Sequence, residues 1–182
     1  MGLAHDLGKT IGDALTPLRA GDHGLAFRKL DVLERRTLDV TSSAFTDGGS
    51  LPRRFTADDA GVSPFLAWRN VPTGTRSFVL IVEDPDAPTP QPFVHWLVYG
   101  IRAEVTSLDG AQHLEGKNTL LSSGYTPAAP PAGHGIHHYH FQIFALDTAL
   151  DLQRGAGRGP VLEQMRGHVL AWGEIVGTYE RS

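Results

Sequence analysis

The sequence predicts a mainly β fold, an antiparallel β-sandwich with small peripheral helices and one helix at the N-terminus. Three observations predict it. Short apolar and β-branched runs recur along the chain, and Pro- and Gly-dense loops separate them, above all at 125–135. Helical periodicity is confined to two segments, near the start and near residue 160, so the strands do not alternate with helices as a βαβ fold requires.

The first element is helical. Leu3, Leu7, Ile11, Ala14, Leu15 and Leu18 recur at steps of three and four and form one apolar stripe. Gly8 and Gly12 weaken this helix by about 1 kcal/mol each, and Gly21 and Gly24 provide its stop. Residues 1 to 24 are therefore expected as a helix. Its exposed stripe needs cover, which a homodimer through residues 1–24 would supply; docking on the chain's own sheet is the alternative.

Strands follow. Residues 38–45 are rich in β-branched side chains and close on Phe45-Thr46-Asp47-Gly48-Gly49, which has turn chemistry. Residues 77–83 are apolar on both faces and predict a buried central strand. Residues 93–101 and 139–146 predict two more. A second helix is expected to start near Pro160, with Val161, Leu162, Met165, Val169 and Leu170 on its apolar face, and a last strand covers 174–179.

Composition narrows the function classes. A chain of 182 residues fits one domain, with ordinary hydrophobic (41%) and charged (20%) content. A net charge of −4 and the absence of any basic run argue against a nucleic-acid partner. With no Cys, disulfides, thiolate metal sites and Cys nucleophiles are excluded. The start lacks the pattern of a secretory signal, and no stretch approaches the roughly 20 apolar residues of a membrane span. A cytoplasmic location is the expectation.

Three clusters carry chemistry. Asp84-Pro85-Asp86-Ala87-Pro88 ends the buried strand, where two carboxylates two residues apart on an extended chain would share a face. The plain alternative is a turn. His95-Trp96 leads into the next strand. In Pro130-Pro131-Ala132-Gly133-His134-Gly135-Ile136-His137-His138-Tyr139, alternation puts His137 and Tyr139 on the face that becomes core, and His138 and His140 on the other. Imidazole and phenol donors beside a Pro/Gly loop suit an anion. The carboxylates then serve best by accepting from imidazole N–H groups and fixing their tautomers.

These clusters together resemble the paired signature of the phosphatidylethanolamine-binding protein (PEBP) family, in its bacterial Raf kinase inhibitor-like branch. The frame is similar too, through Ser63-Pro64-Phe65-Leu66-Ala67-Trp68, Asn70-Val71-Pro72, Phe144-Ala145-Leu146-Asp147 and Gly177-Thr178-Tyr179-Glu180-Arg181. The resemblance implies a Greek-key sandwich over residues 38–182. It leaves residues 1–37, expected as the N-terminal helix and a lead-in strand, outside it. It further implies a non-enzymatic binding protein without a cofactor, holding phosphate-like anions or phospholipid head groups and serving as a regulator or inhibitor of a kinase or protease. Its pocket would comprise Asp84, Asp86, His95, Pro131, His137 and Tyr139, with Tyr125 and Ala129 on the rim. Thr126-Pro127-Ala128 stands where the family has Gly-Gly-Pro, and Pro127 removes one backbone donor.

Two other functions find some support in the residues. His138-x-His140 has two-ligand spacing for a cupin-like metal enzyme, with His134 or His168 as a third ligand. A Ser-dependent hydrolase would draw on Ser122 or Ser123, but the chain has no Gly-x-Ser-x-Gly elbow.

Overall fold

The computed structural model describes residues 2–181, and residues 2–8 by their backbone alone. At its centre lies a five-stranded antiparallel sheet of β3 (Ser77–Asp84), β4 (Phe93–Arg102), β5 (Leu114–Glu115), β6 (His137–Leu146) and β7 (Val169–Tyr179), in the order β5-β4-β3-β6-β7. All eight residues of β3 are buried. That follows from its uninterrupted apolar run, which a strand can carry only when both its faces are covered.

The two faces are covered differently. On one, β1 (Asp39–Thr41) and β2 (Ala67–Arg69) form a two-stranded sheet that, with long loops, closes over Trp68, Phe78, Leu80, Phe141 and Ile143. On the other, α2 (Ala26–Leu30) and α3 (Arg158–Met165) pack with Leu25, Phe27, Phe144, Val161 and Trp172. Side-chain alternation along β6 sends Phe141 and Ile143 to the first face and Phe144 and Leu146 to the second.

The segment before residue 38 is built into this second face. Phe27 stacks on Trp172 with ring centroids 4.4 Å apart, and Trp172 Nε1 donates to the Val32 carbonyl at 2.7 Å. Below them Glu83, fully buried, accepts from the Ala26 N–H and from Gln142 Nε2, both at 2.8 Å, and from Arg158 Nε. Gln142 Oε1 accepts from the Phe27 N–H. No buried side-chain polar atom of this group is left without a partner, as burial demands.

Several boundaries differ from expectation. The lead-in strand within 1–37 does not form; among the described residues the first strand is β1. Gly21, Gly24 and the apolar triplet Leu25-Ala26-Phe27 turn that segment into short helices docked on Trp172. The strand expected over 38–45 shortens to β1, because its partner β2 offers three residues. The first helix, α1 (Gly2–Leu15), stops well before residue 24. Pro17 lacks an N–H and disfavours helical backbone at Thr16. The helix expected at Pro160 ends at Met165; Gly167 follows at φ 78°, and Val169 and Leu170 belong to β7.

The apolar stripe expected for the first helix is described only from Ile11 onward. The side chains of Leu3 and Leu7 fall outside the described residues, and Ile11 and Leu18 are half exposed. Contact is made instead through Gly12, where an added Cβ would stand 1.8 Å from the Ala132 carbonyl oxygen. The glycine that weakens the helix is what lets it approach the loop at 131–136. No helix among the described residues is long and apolar enough to cross a membrane.

Candidate ligand pocket

At the end of the sheet where β3 stops and β4 and β6 begin, a cavity of about 360 Å³ opens. Asp84, His95, His137 and Tyr139 form its polar floor, and Pro130, Pro131, Ala129, Pro127, Phe93 and Leu120 are among the apolar groups of its wall. Each floor residue sits at a strand terminus. Asp84 is the last residue of β3, His95 the third of β4, and His137 and Tyr139 the first and third of β6.

Asp84 is buried and accepts from His137 Nδ1 at 2.7 Å and from the Asp86 N–H at 2.8 Å. His137 Nε2 lies 2.6 Å from His134 Nδ1, and His134 Nε2 donates to the Leu15 carbonyl at 2.8 Å. With both nitrogens engaged, His137 has no free ring N–H for the cavity.

His95 is held differently. Its Nδ1 donates to the Thr126 carbonyl at 2.8 Å while the Thr126 N–H donates back to the His95 carbonyl at 2.7 Å. Burial drives the His95 pKa below the usual imidazole range, partly offset by the Asp84 carboxylate and the Thr126 bond, with His137 adding to the fall. A neutral ring donating from Nδ1 leaves Nε2 as an acceptor. Tyr139 complements it. Its hydroxyl is buried with no hydrogen-bond partner among the described residues, and burial, then the Asp84 charge, pushes its pKa far above the ordinary phenol value. Tyr139 therefore stays an O–H donor. Trp68 Nε1 is also buried without a partner, but it does not line this cavity. An unpartnered donor beside an unpartnered acceptor suits a ligand bearing both an anionic oxygen and an acidic proton, as a phosphate monoanion does.

Two expected pocket residues stand elsewhere. Asp86 lies outside the cavity lining, because β3 ends at Asp84 and the chain turns at Pro85, so the shared face of an extended pair does not arise. Its carboxylate accepts from the His138 N–H and ring, each at 2.7 Å, and from Arg19. Burial would raise the Asp86 pKa, but those bonds outweigh it and hold it below the usual carboxylate range. Tyr125 packs edge-on against Trp96 and donates to the Phe55 carbonyl at 2.8 Å, a structural contact outside the lining.

His134, absent from the expected pocket set, is fully buried behind His137. Gly133 and Gly135 on either side, at φ 79° and 88°, turn its ring inward. A His between two turn glycines was the available signal. The metal-site spacing separates: His138 pairs with Asp86, and His140 with Glu174 at 2.9 Å. No group of three His, Asp or Glu able to hold a metal occurs among the described residues. Ser122 Oγ is bonded to Asn118. A second hollow is lined by Arg36, Asp39, Asp47 and Glu174, where Arg36 pairs with Glu174 at 3.3 Å, Asp39 pairs with Arg69 at 3.4 Å and Asp47 accepts from the Val176 N–H.

Comparison with known proteins identifies what the chain is similar to. A family model described as "Phosphatidylethanolamine-binding protein" matches residues 41–180. A UPF0098 protein of Methanothermobacter thermautotrophicus is 38% identical over 155 residues, covering 79% of this chain and 99% of its own. A UPF0098 protein of Aquifex aeolicus is 39% identical over 153 residues, covering 79% and 89%. Among solved structures, a putative phosphatidylethanolamine-binding protein homolog from Chlamydia trachomatis superposes with a TM-score of 0.75 at 38% identity, covering 81% of this chain and 99% of that one.

Proposed function

Since the chain belongs to the phosphatidylethanolamine-binding protein family, we propose that it is a binding protein, not an enzyme, whose pocket takes a phosphoryl anion, free or as a phospholipid head group. One observation carries this reading: the unpartnered Tyr139 hydroxyl stands with His95, and with Asp84 already paired to His137, in one 360 Å³ cavity. A buried hydroxyl without a partner costs about 1–3 kcal/mol, which a ligand oxygen would recover. Asp84, His95, Pro131, Ala129, His137 and Tyr139 would contact or frame the anion, and Asp86 would act through His138 and Arg19.

The test is a titration with inorganic phosphate, phosphoethanolamine and a phosphatidylethanolamine vesicle, following the His ring signals by NMR. The His95 and His137 signals move, with affinity between about millimolar and micromolar, while the half-exposed His168 does not. Silence of both pocket histidines with all three probes refutes the reading. The three arms separate a free anion from a lipid source.

A regulatory or inhibitory role toward a kinase or protease, and action in the cytoplasm, belong to the same reading; the Cys-free sequence supports the second. Exposed Ile11 and Leu18 are the surface a homodimer through residues 1–24 would use, and sedimentation of the full chain at micromolar concentration tests it.

A further inference from the structure

Four groups stand in a line behind the pocket: the Leu15 carbonyl, His134, His137 and the Asp84 carboxylate, joined by contacts of 2.8, 2.6 and 2.7 Å. The carbonyl can only accept, and so can Asp84 while it is ionised. Three hydrogen bonds in series need three protons, and two neutral imidazoles carry two. A missing proton would set two lone pairs against each other at 2.6 Å or 2.7 Å, in a site where His134, His137 and Asp84 are all buried.

We propose that the third proton resides on His137, held as an imidazolium between ionised Asp84 and His134 Nδ1. His134 is then a positioning residue that sets the charge of the pocket floor. The inference rests on the anion-pocket reading above.

The surrounding charges favour this placement. Asp84 from β3, His95 from β4 and Tyr139 from β6 face His137 directly. From the N-terminal segment, Asp13 is paired with Lys9, and Arg19 with Asp86. From the C-terminal end, Arg181 is paired with Asp58. Asp84 is thus the one nearby charge among these that lacks a fixed cation, and an imidazolium 2.7 Å away supplies it. Leu15 closes α1, so its carbonyl belongs to the helix end where partial negative charge collects. It fixes the His134 proton on Nε2 and leaves Nδ1 free to accept from His137.

The consequence is electrostatic. With the third proton the floor is neutral and tolerates an anion; without it, a bare Asp84 carboxylate would repel one. The N-terminal segment, which precedes the family match, therefore sets how the pocket reads charge.

Long-range nitrogen–proton NMR of the histidine rings, on the ligand-free full chain at neutral pH, tests this. Both His137 nitrogens carry protons, and His134 carries one, on Nε2. His134→Phe removes the acceptor, so His137 loses its Nε2 proton and inorganic phosphate binds roughly tenfold more weakly. His134→Asn places an amide oxygen where Nδ1 stood, and His137 keeps both protons. A singly protonated His137 in the wild-type protein overturns the inference, even if phosphate binds. So does a His134→Asn protein that folds and loses the second proton. Double protonation without any phosphate response upholds the charge assignment while the anion reading falls.

Discussion

Glu83 and Asp84 are neighbours on the same strand, both buried, and they face opposite sides of the sheet. Glu83 meets Arg158, Gln142 and the Ala26 N–H, and nothing is left over. Asp84 meets an imidazole, at the edge of a cavity holding an unpartnered hydroxyl. An arginine can only donate, whereas an imidazole can donate or accept at either ring nitrogen. The same residue class is therefore a rivet on one face and an adjustable contact on the other. The partner, not the carboxylate, decides which.

Substitutions can break or sharpen that contrast. The largest effect is expected from Glu83→Ala, which strands the Arg158 guanidinium and the Ala26 N–H. Urea unfolding is expected to show a loss of about 3–5 kcal/mol, with the pocket histidine signals of the folded fraction unchanged. A loss below 1 kcal/mol would remove the rivet interpretation.

Next comes pH. His95 is held neutral by burial, so the unfolded chain takes up a proton that the folded one refuses. Its stability contribution is full above about pH 6.5 and is lost as pH falls from there through the folded value. His95→Gln is expected to flatten the stability slope below that point by up to about 1.4 kcal/mol per pH unit. Parallel slopes in wild type and variant would contradict a neutral buried His95.

Tyr139→Phe should cost no stability. Its hydroxyl has no partner to lose among the described residues, so the variant is expected to be about 1 kcal/mol more stable than wild type, while phosphate binding weakens roughly tenfold. A large destabilisation would mean that Tyr139 serves the core and not the cavity.

Much of this arrangement was legible from the sequence. The runs at 77–83, 93–101 and 139–146 became β3, β4 and β6 because strands buried on both faces leave continuous apolar signatures. Alternation along β6 correctly put His137 and Tyr139 on the core side. What escaped depends on contacts far apart in sequence. Asp86 left the pocket when the chain turned at Pro85, and its partner Arg19 lies 67 residues away, in a segment outside the family match. His134 gave only the local signal of flanking glycines, and its role is fixed by a carbonyl 119 residues earlier. The short pairing of β1 with β2 likewise depends on which residues face each other, a matter of register rather than propensity.

The close seat of Gly12 on Ala132 bears on the order of assembly. A helix of 14 residues with glycines at 8 and 12 has little stability alone in water. Its seat is a loop that leaves the ribosome more than a hundred residues later. The helix therefore cannot take its seat until that loop has been made, and until then its apolar side chains are open to other hydrophobic surfaces or chaperones.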